Sequence, residues 1–181
     1  MTAVAAAPTA APASPSLPVA VNEDLCNAVV AATRKGLAMC GVEATCVGVS
    51  RVPARQAGAI TGMIGVHGKV SGFVTVNLSE CLALQAVGGL LGESFEKLSP
   101  QVVDGAGELT NLIVGGVKSV LSTSHWAFGQ ITIPSVIVGD GYQVAFADGL
   151  ELIDVLFEVE NENAIGVSDR MLHVTLSLLR L

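Results

Sequence analysis

Three side chains in the stretch Asp104-Gly-Ala-Gly-Glu108-Leu-Thr-Asn111 could act together: two carboxylates and a carboxamide, four and three residues apart. At 3.6 residues per turn they share one stripe of a helix, and the stripe continues through Gly115 and Lys118. Asn111 is a poor base, because an amide takes no proton near neutral pH. It can accept and donate hydrogen bonds at once, which suits positioning rather than proton transfer. Glu108 adds a negative charge that needs a cation opposite it wherever the stripe meets a partner.

The helix that carries this stripe has an apolar side made of Val103, Leu109, Leu112, Ile113, Val117 and Val120. Ser99-Pro100 opens it, with Pro at the first helical position, and it should run to about Ser122. Asp104 falls in its first turns, where the helix dipole favours an acid. Two further helices are expected. Asn22 caps one reaching about Met39, with Leu25, Val29, Val30, Ala32 and Leu37 inward. Ser79 caps another from Glu80 to Leu91, closed by Gly92.

Strands are expected at Ala44 to Val52, and at Ala59 to Val66 and Val70 to Leu78 around a His67-Gly68 turn. Four more follow the motif helix: Ile131 to Val138, Tyr142 to Phe146 after an Asp140-Gly141 turn, Leu152 to Val159, and Leu172 to Leu181. Hairpin-linked strands with grouped helices predict an α+β fold, a mainly antiparallel sheet with long helices packed on it. Residues 1–20, rich in Ala, Pro and Ser, read as a disordered tail, and 21–181 as one domain.

Composition narrows the function classes. The 181 residues are 51% hydrophobic but only 4% aromatic, so the core must be built from Val, Leu, Ile and Ala. A net charge of -7 with scattered basic residues argues against nucleic acid. Cys26, Cys40, Cys46 and Cys81 show no metal-ligand spacing and read as free, small hydrophobes of a reducing compartment. The start lacks a basic segment and is interrupted by prolines, so neither a signal peptide nor a membrane span is expected, and the protein should be cytoplasmic.

Other motifs read as structure. Gly62-x-x-Gly65-x-x-Gly68 has the wrong spacing for a phosphate loop and suits strand or hairpin geometry. His67, His125 and His173 are dispersed, Ser122, Ser124 and His125 make no triad without an oriented acid, and Asn161-Glu-Asn163 reads as a turn.

A polar stripe opposite an apolar one is expected of any surface helix. This one is set apart by Pro134, which stands twenty-three positions after Asn111. Asp104, Glu108, Asn111 and Pro134 meet every spacing of the pattern Asp or Ser, three residues, Glu, two residues, Asn, twenty-two residues, Pro. In this the chain resembles the CheC/CheX/FliY family of chemotaxis phosphatases. Gly107-Glu-Leu-Thr-Asn111-Leu-Ile-Val-Gly-Gly is similar to that family's active helix, and Ile133-Pro-Ser-Val-Ile-Val-Gly139 to its following strand. The first helix offers only Asp24-Leu-Cys-Asn27, with Ala20 where an Asp or Ser would be required. One site per chain resembles the CheX branch, whose members are typically homodimers.

The resemblance implies a substrate, a CheY-type response regulator phosphorylated on Asp, and a hydrolase. Phosphoryl transfer has a loose transition state in which the attacking water needs positioning more than deprotonation; Asn111 suits that role. Glu108 would pair with the regulator's active-site Lys. Asp104 and Pro134 support the motif, Asp104 either at the helix start or against the partner and Pro134 by fixing the local backbone. Gly115 and Lys118 face the partner; for Gly115 helix packing is an equal alternative, and for Gly116 packing is favoured. No cofactor of its own is implied, and Mg²⁺ would be held by the regulator. A non-catalytic module that docks on a phosphorylated regulator and a dimeric scaffold are the alternatives.

Overall fold

The computed structural model describes residues 21–52, 58–139, 142, 144 and 149–181. The Ala/Pro-rich segment 1–20 and the Asp140-Gly141 turn lie outside the described residues, as does most of the strand expected over 142–146; Tyr142 and Val144, which are described, belong to no strand.

The chain runs α1 (Glu23–Met39), β1 (Ala44–Ser50), β2 (Ile60–Gly68), β3 (Val70–Leu78), α2 (Glu80–Leu91), α3 (Pro100–Leu121), β4 (Phe128–Ile131), β5 (Ser135–Val138), β6 (Glu151–Val159) and β7 (Met171–Arg180). The seven strands form one sheet in the order β1-β6-β7-β3-β2-β4, with β5 also on β2. Every pairing is antiparallel. Period-two alternation sends Ile60, Ile64, Val74, Val76, Val155, Val174 and Leu176 to one face, where all are buried under the helices. The expected α+β architecture is the observed one.

The helix ends follow their caps. Asn22, Ser79 and Ser99 accept hydrogen bonds from the amides of Leu25, Leu82 and Val102, three residues on in each case. Gly92 closes α2 at φ 69, a left-handed conformation that a Cβ would disfavour.

Three local expectations shift. His67 pairs with Ser71 inside the β2–β3 ladder, so the turn lies one residue later, at 68–70. On α3, Leu109, Ile113 and Val117 are buried, whereas Val103 and Leu112 are half-buried and Val120 is exposed near the helix end. The strand expected over 131–138 is interrupted. Val66 pairs with Ile131 and Met63 with Ser135, so residues 132–134 stand opposite only 64–65 of β2. That extra residue is a β-bulge. Without it Ile131 and Val136, five apart, would lie on opposite faces; with it both pack on the core. Thr132 holds the bulge: its amide donates to the Gly65 carbonyl at 2.9 Å, and its hydroxyl accepts from the Gly65 amide at 2.9 Å.

On the opposite face of the sheet lies a polar pairing that sequence patterning does not reveal. Asp154 on β6 is 3% exposed, takes a hydrogen bond from Thr175 at 2.7 Å and pairs with His173 at 3.0 Å. A buried carboxylate needs such partners. The sequence clue is an acid inside the otherwise apolar run Glu151-Leu-Ile-Asp154-Val-Leu-Phe.

Candidate functional site on helix α3

Helix α3 is anchored on three sides. Glycine at 105 and 116 allows close approach to α2 and α1: an added Cβ would meet Val87 at 2.4 Å and Ala32 at 2.9 Å. Below, Gly62 of β2 leaves room for Thr110, whose hydroxyl would stand 1.9 Å from a Cβ there. Thr110 in turn donates to the Ala106 carbonyl at 2.8 Å. The three-glycine run 62–65–68 therefore serves β2 packing, as expected. Gly65 faces Thr132, and Gly68 lies against the backbone of Phe128 and Gly129.

These anchors leave one side of α3 free. Asp104 and Glu108 are exposed, and Asn111, Gly115 and Lys118 are half-buried. The helical repeat puts the Cβ atoms of Asp104 and Glu108, and of Glu108 and Asn111, about 5–6 Å apart. Among the described residues, none of the Asp104, Glu108, Asn111 and Lys118 side chains is held in a hydrogen bond or ion pair. At Gly115 an added Cβ would meet nothing within 4 Å, so packing does not require glycine there; at Gly116 it does. Lys118 lies in the last turn, where its charge complements the helix dipole.

Pro134 joins the stripe from a different element. It closes the bulge, and a Cβ on Gly107 would lie 3.6 Å from its ring. Having no amide hydrogen, a proline suits a bulge on a sheet edge. Pro134, just before β5, is thus brought against α3 at Gly107, one residue before Glu108. On the other flank Gln101 donates to Glu93 of the α2–α3 connection at 3.0 Å, a contact the sequence did not suggest.

His125 is exposed in the turn beyond the C-terminus of α3, with about 15 Å of helix between Asn111 and the helix end. Trp126 beside it is buried and stacks under Arg180, 4.1 Å from the ring centroid. The Asn161 side chain accepts from the Asn163 amide at 2.8 Å, making the expected turn. Among the described residues no three His, Cys, Asp or Glu side chains converge to hold a metal ion, and no helix is long and apolar enough to cross a membrane. A groove of about 550 Å³ runs along α2, lined by Cys81, Gln85, Glu93 and Phe95, and includes no stripe residue. The stripe is an open helix face outside that groove, suited to a partner that brings its own pocket rather than to a small molecule.

Solved structures share this architecture. A CheC-like superfamily protein of Shewanella sp. PV-4 aligns with a TM-score of 0.74 and 25% identity, over 88% of this chain and 99% of that one. The chemotaxis protein CheX of Vibrio vulnificus aligns with a TM-score of 0.73 and 24% identity, over 86% and 99% of the two chains. The CheX of Borrelia burgdorferi, solved as a CheX–CheY–BeF3–Mg²⁺ complex, aligns at 0.64 with 18% identity, over 86% and 96%. The fold is thus that of the CheC-like and CheX chemotaxis proteins. Residues 60–158 match the family of the chemotaxis phosphatase CheX, and the chain belongs to that family. Comparison with curated protein sequences gave no significant match.

Proposed function

We propose that this protein hydrolyses the aspartyl phosphate of a CheY-type response regulator, with Asn111 orienting the attacking water and Glu108 pairing with the regulator's lysine. The observation that carries this reading is the unengaged Glu108/Asn111 pair, one turn apart on a solvent-facing stripe. The Borrelia relative was captured with a CheY, BeF3 and Mg²⁺, which supports a regulator as partner and a metal held by that regulator. Gly115 keeps the stripe low so that the partner can approach, and Lys118 extends the contact. Asp104 and Pro134 support the two ends of the site. The protein acts in the cytoplasm as a homodimer, which presents two such stripes.

In this reading Glu108 meets the lysine and offsets the repulsion its charge would otherwise exert on a phosphoryl group. The Asn111 Oδ1 accepts a hydrogen from one water and turns its oxygen toward phosphorus. The water oxygen bonds to phosphorus as the bond to the aspartyl oxygen breaks. The regulator recovers its carboxylate, and phosphate departs with the water's oxygen and hydrogens. No base is required, because the transition state is loose. Orientation worth about a hundredfold corresponds to roughly 2.7 kcal/mol, well inside what positioning can supply.

The test uses a regulator phosphorylated by a small phosphodonor, with loss of the phosphoryl group followed in the presence of wild type, Asn111→Ala and Glu108→Ala. Wild type should accelerate the loss, Asn111→Ala should lose about a hundredfold in rate, and Glu108→Ala should be weakened. Stable complex formation without acceleration would instead identify a docking module.

A further inference from the structure

We propose that Ile133 is an apolar anchor for the docked regulator, seated beside the catalytic stripe and setting affinity rather than turnover. This rests on the phosphatase reading of that stripe. Ile133 is 86% exposed, yet it is not in a loose loop. It is the middle residue of the bulge between β4 and β5, where three residues face two on β2. Its neighbours hold it from both sides. Thr132 is bonded through its amide and its hydroxyl to Gly65, and the same hydroxyl lies 3.1 Å from the Ile133 carbonyl. Pro134 has a fixed φ and lies along Gly107, the residue before Glu108.

A bulge of this kind re-aims one side chain out of the ladder, and such bulges cluster beside active sites. Here the side chain released is a β-branched aliphatic one, which keeps little rotational freedom to lose on binding. An exposed, pre-ordered apolar group next to a solvent-facing polar stripe matches a common interface plan: a small apolar anchor flanked by polar contacts. The occupant is the phosphorylated regulator, because Ile133 is continuous with the stripe through Pro134. A protein docked over Glu108 and reaching past Pro134, whose ring lies against Gly107, would meet Ile133 next. The chemistry it must offer is an apolar patch adjoining its phosphorylation pocket.

The experiment compares full-length wild type, Ile133→Ser, Ile133→Leu and Asn111→Ala against a CheY-type regulator of the same genome. Turnover is measured on the regulator phosphorylated by acetyl phosphate, and affinity on the regulator loaded with beryllofluoride and Mg²⁺. Ile133→Ser should raise KM and Kd about tenfold, equivalent to about 1.4 kcal/mol, with kcat within about twofold and an unchanged melting temperature. Ile133→Leu should restore most of the affinity, and Asn111→Ala should bind normally while turning over about a hundredfold more slowly. If wild type turns over and Ile133→Ser matches it in KM and Kd, the anchor is refuted while the phosphatase reading stands. If wild type binds without turnover and Ile133→Ser still weakens binding, the anchor stands and the catalytic reading falls. A change in oligomeric state with unaltered regulator affinity would assign Ile133 to self-association and overturn the proposal.

Discussion

Adjacent glycines on α3 should respond in opposite directions to the same substitution. Gly→Ala within a helix gains roughly 0.5–1 kcal/mol from backbone entropy and propensity. At Gly115 the new methyl group meets nothing within 4 Å, so that gain should survive intact. For a chain of this size it amounts to a rise in melting temperature of about 1–4 °C. At Gly116 the methyl group would stand 2.9 Å from the Ala32 Cβ and 3.3 Å from its Cα. Both atoms are fixed to the α1 backbone, so the helices must part. Overpacking of this kind costs about 1–3 kcal/mol, leaving a net loss on the order of 1 kcal/mol. Thermal melts of Gly115→Ala and Gly116→Ala test this half directly. The functional half needs a larger residue. Gly115→Phe puts a ring one turn from Asn111, where Cβ atoms are about 5–6 Å apart, and should fold as well as wild type while losing at least about tenfold in kcat/KM on a phosphorylated regulator, or about 1.4 kcal/mol of transition-state binding. A Gly115→Phe protein that dephosphorylates as fast as wild type would show that the partner does not cover this part of the stripe. An unstable Gly115→Ala would show that the packing argument is wrong.

Two further outcomes follow from the same contacts. Gly62→Ala should destabilise by about 1–3 kcal/mol or more and also slow turnover, since Thr110 cannot clear the new methyl group without moving α3, and with it Asn111, off the sheet; the double variant Gly62→Ala/Thr110→Ala removes the hydroxyl and methyl contacts but keeps the Cβ at 2.7 Å, so it should recover only part of both in melts and turnover assays. Alkaline pH should lower stability through two thiols. Burial pushes the Cys40 thiol up, and burial, followed by the neighbouring Cys46 thiol, does the same to Cys26. The folded state keeps these protons longer than the unfolded chain, so their effect is absent below the ordinary thiol value of about 8.5 and stability falls above it. Urea unfolding at pH 7 and pH 9.5 should show a smaller alkaline loss in Cys40→Ala than in wild type.

Much of this molecule is written locally. Asn22, Ser79 and Ser99 mark helix starts because a cap bonds an amide three residues away. The Asp104–Glu108–Asn111 stripe is equally local, since helical periodicity alone sets which side chains share a face. The sequence therefore yielded the helices, the long strands and the exposed polar stripe. It could not yield the bulge at 132–134, because an extra residue in a strand exists only relative to the partner β2, more than sixty residues earlier. Nor could it tell Gly115 from Gly116, identical neighbours of which only one has α1 against it. The Asp154–His173 pair and the seating of Pro134 on Gly107 are of the same kind. Caps and periodicity depend on neighbours within a turn or two, whereas close approach and the pairing of polar groups inside the sheet depend on which distant elements the tertiary fold brings together.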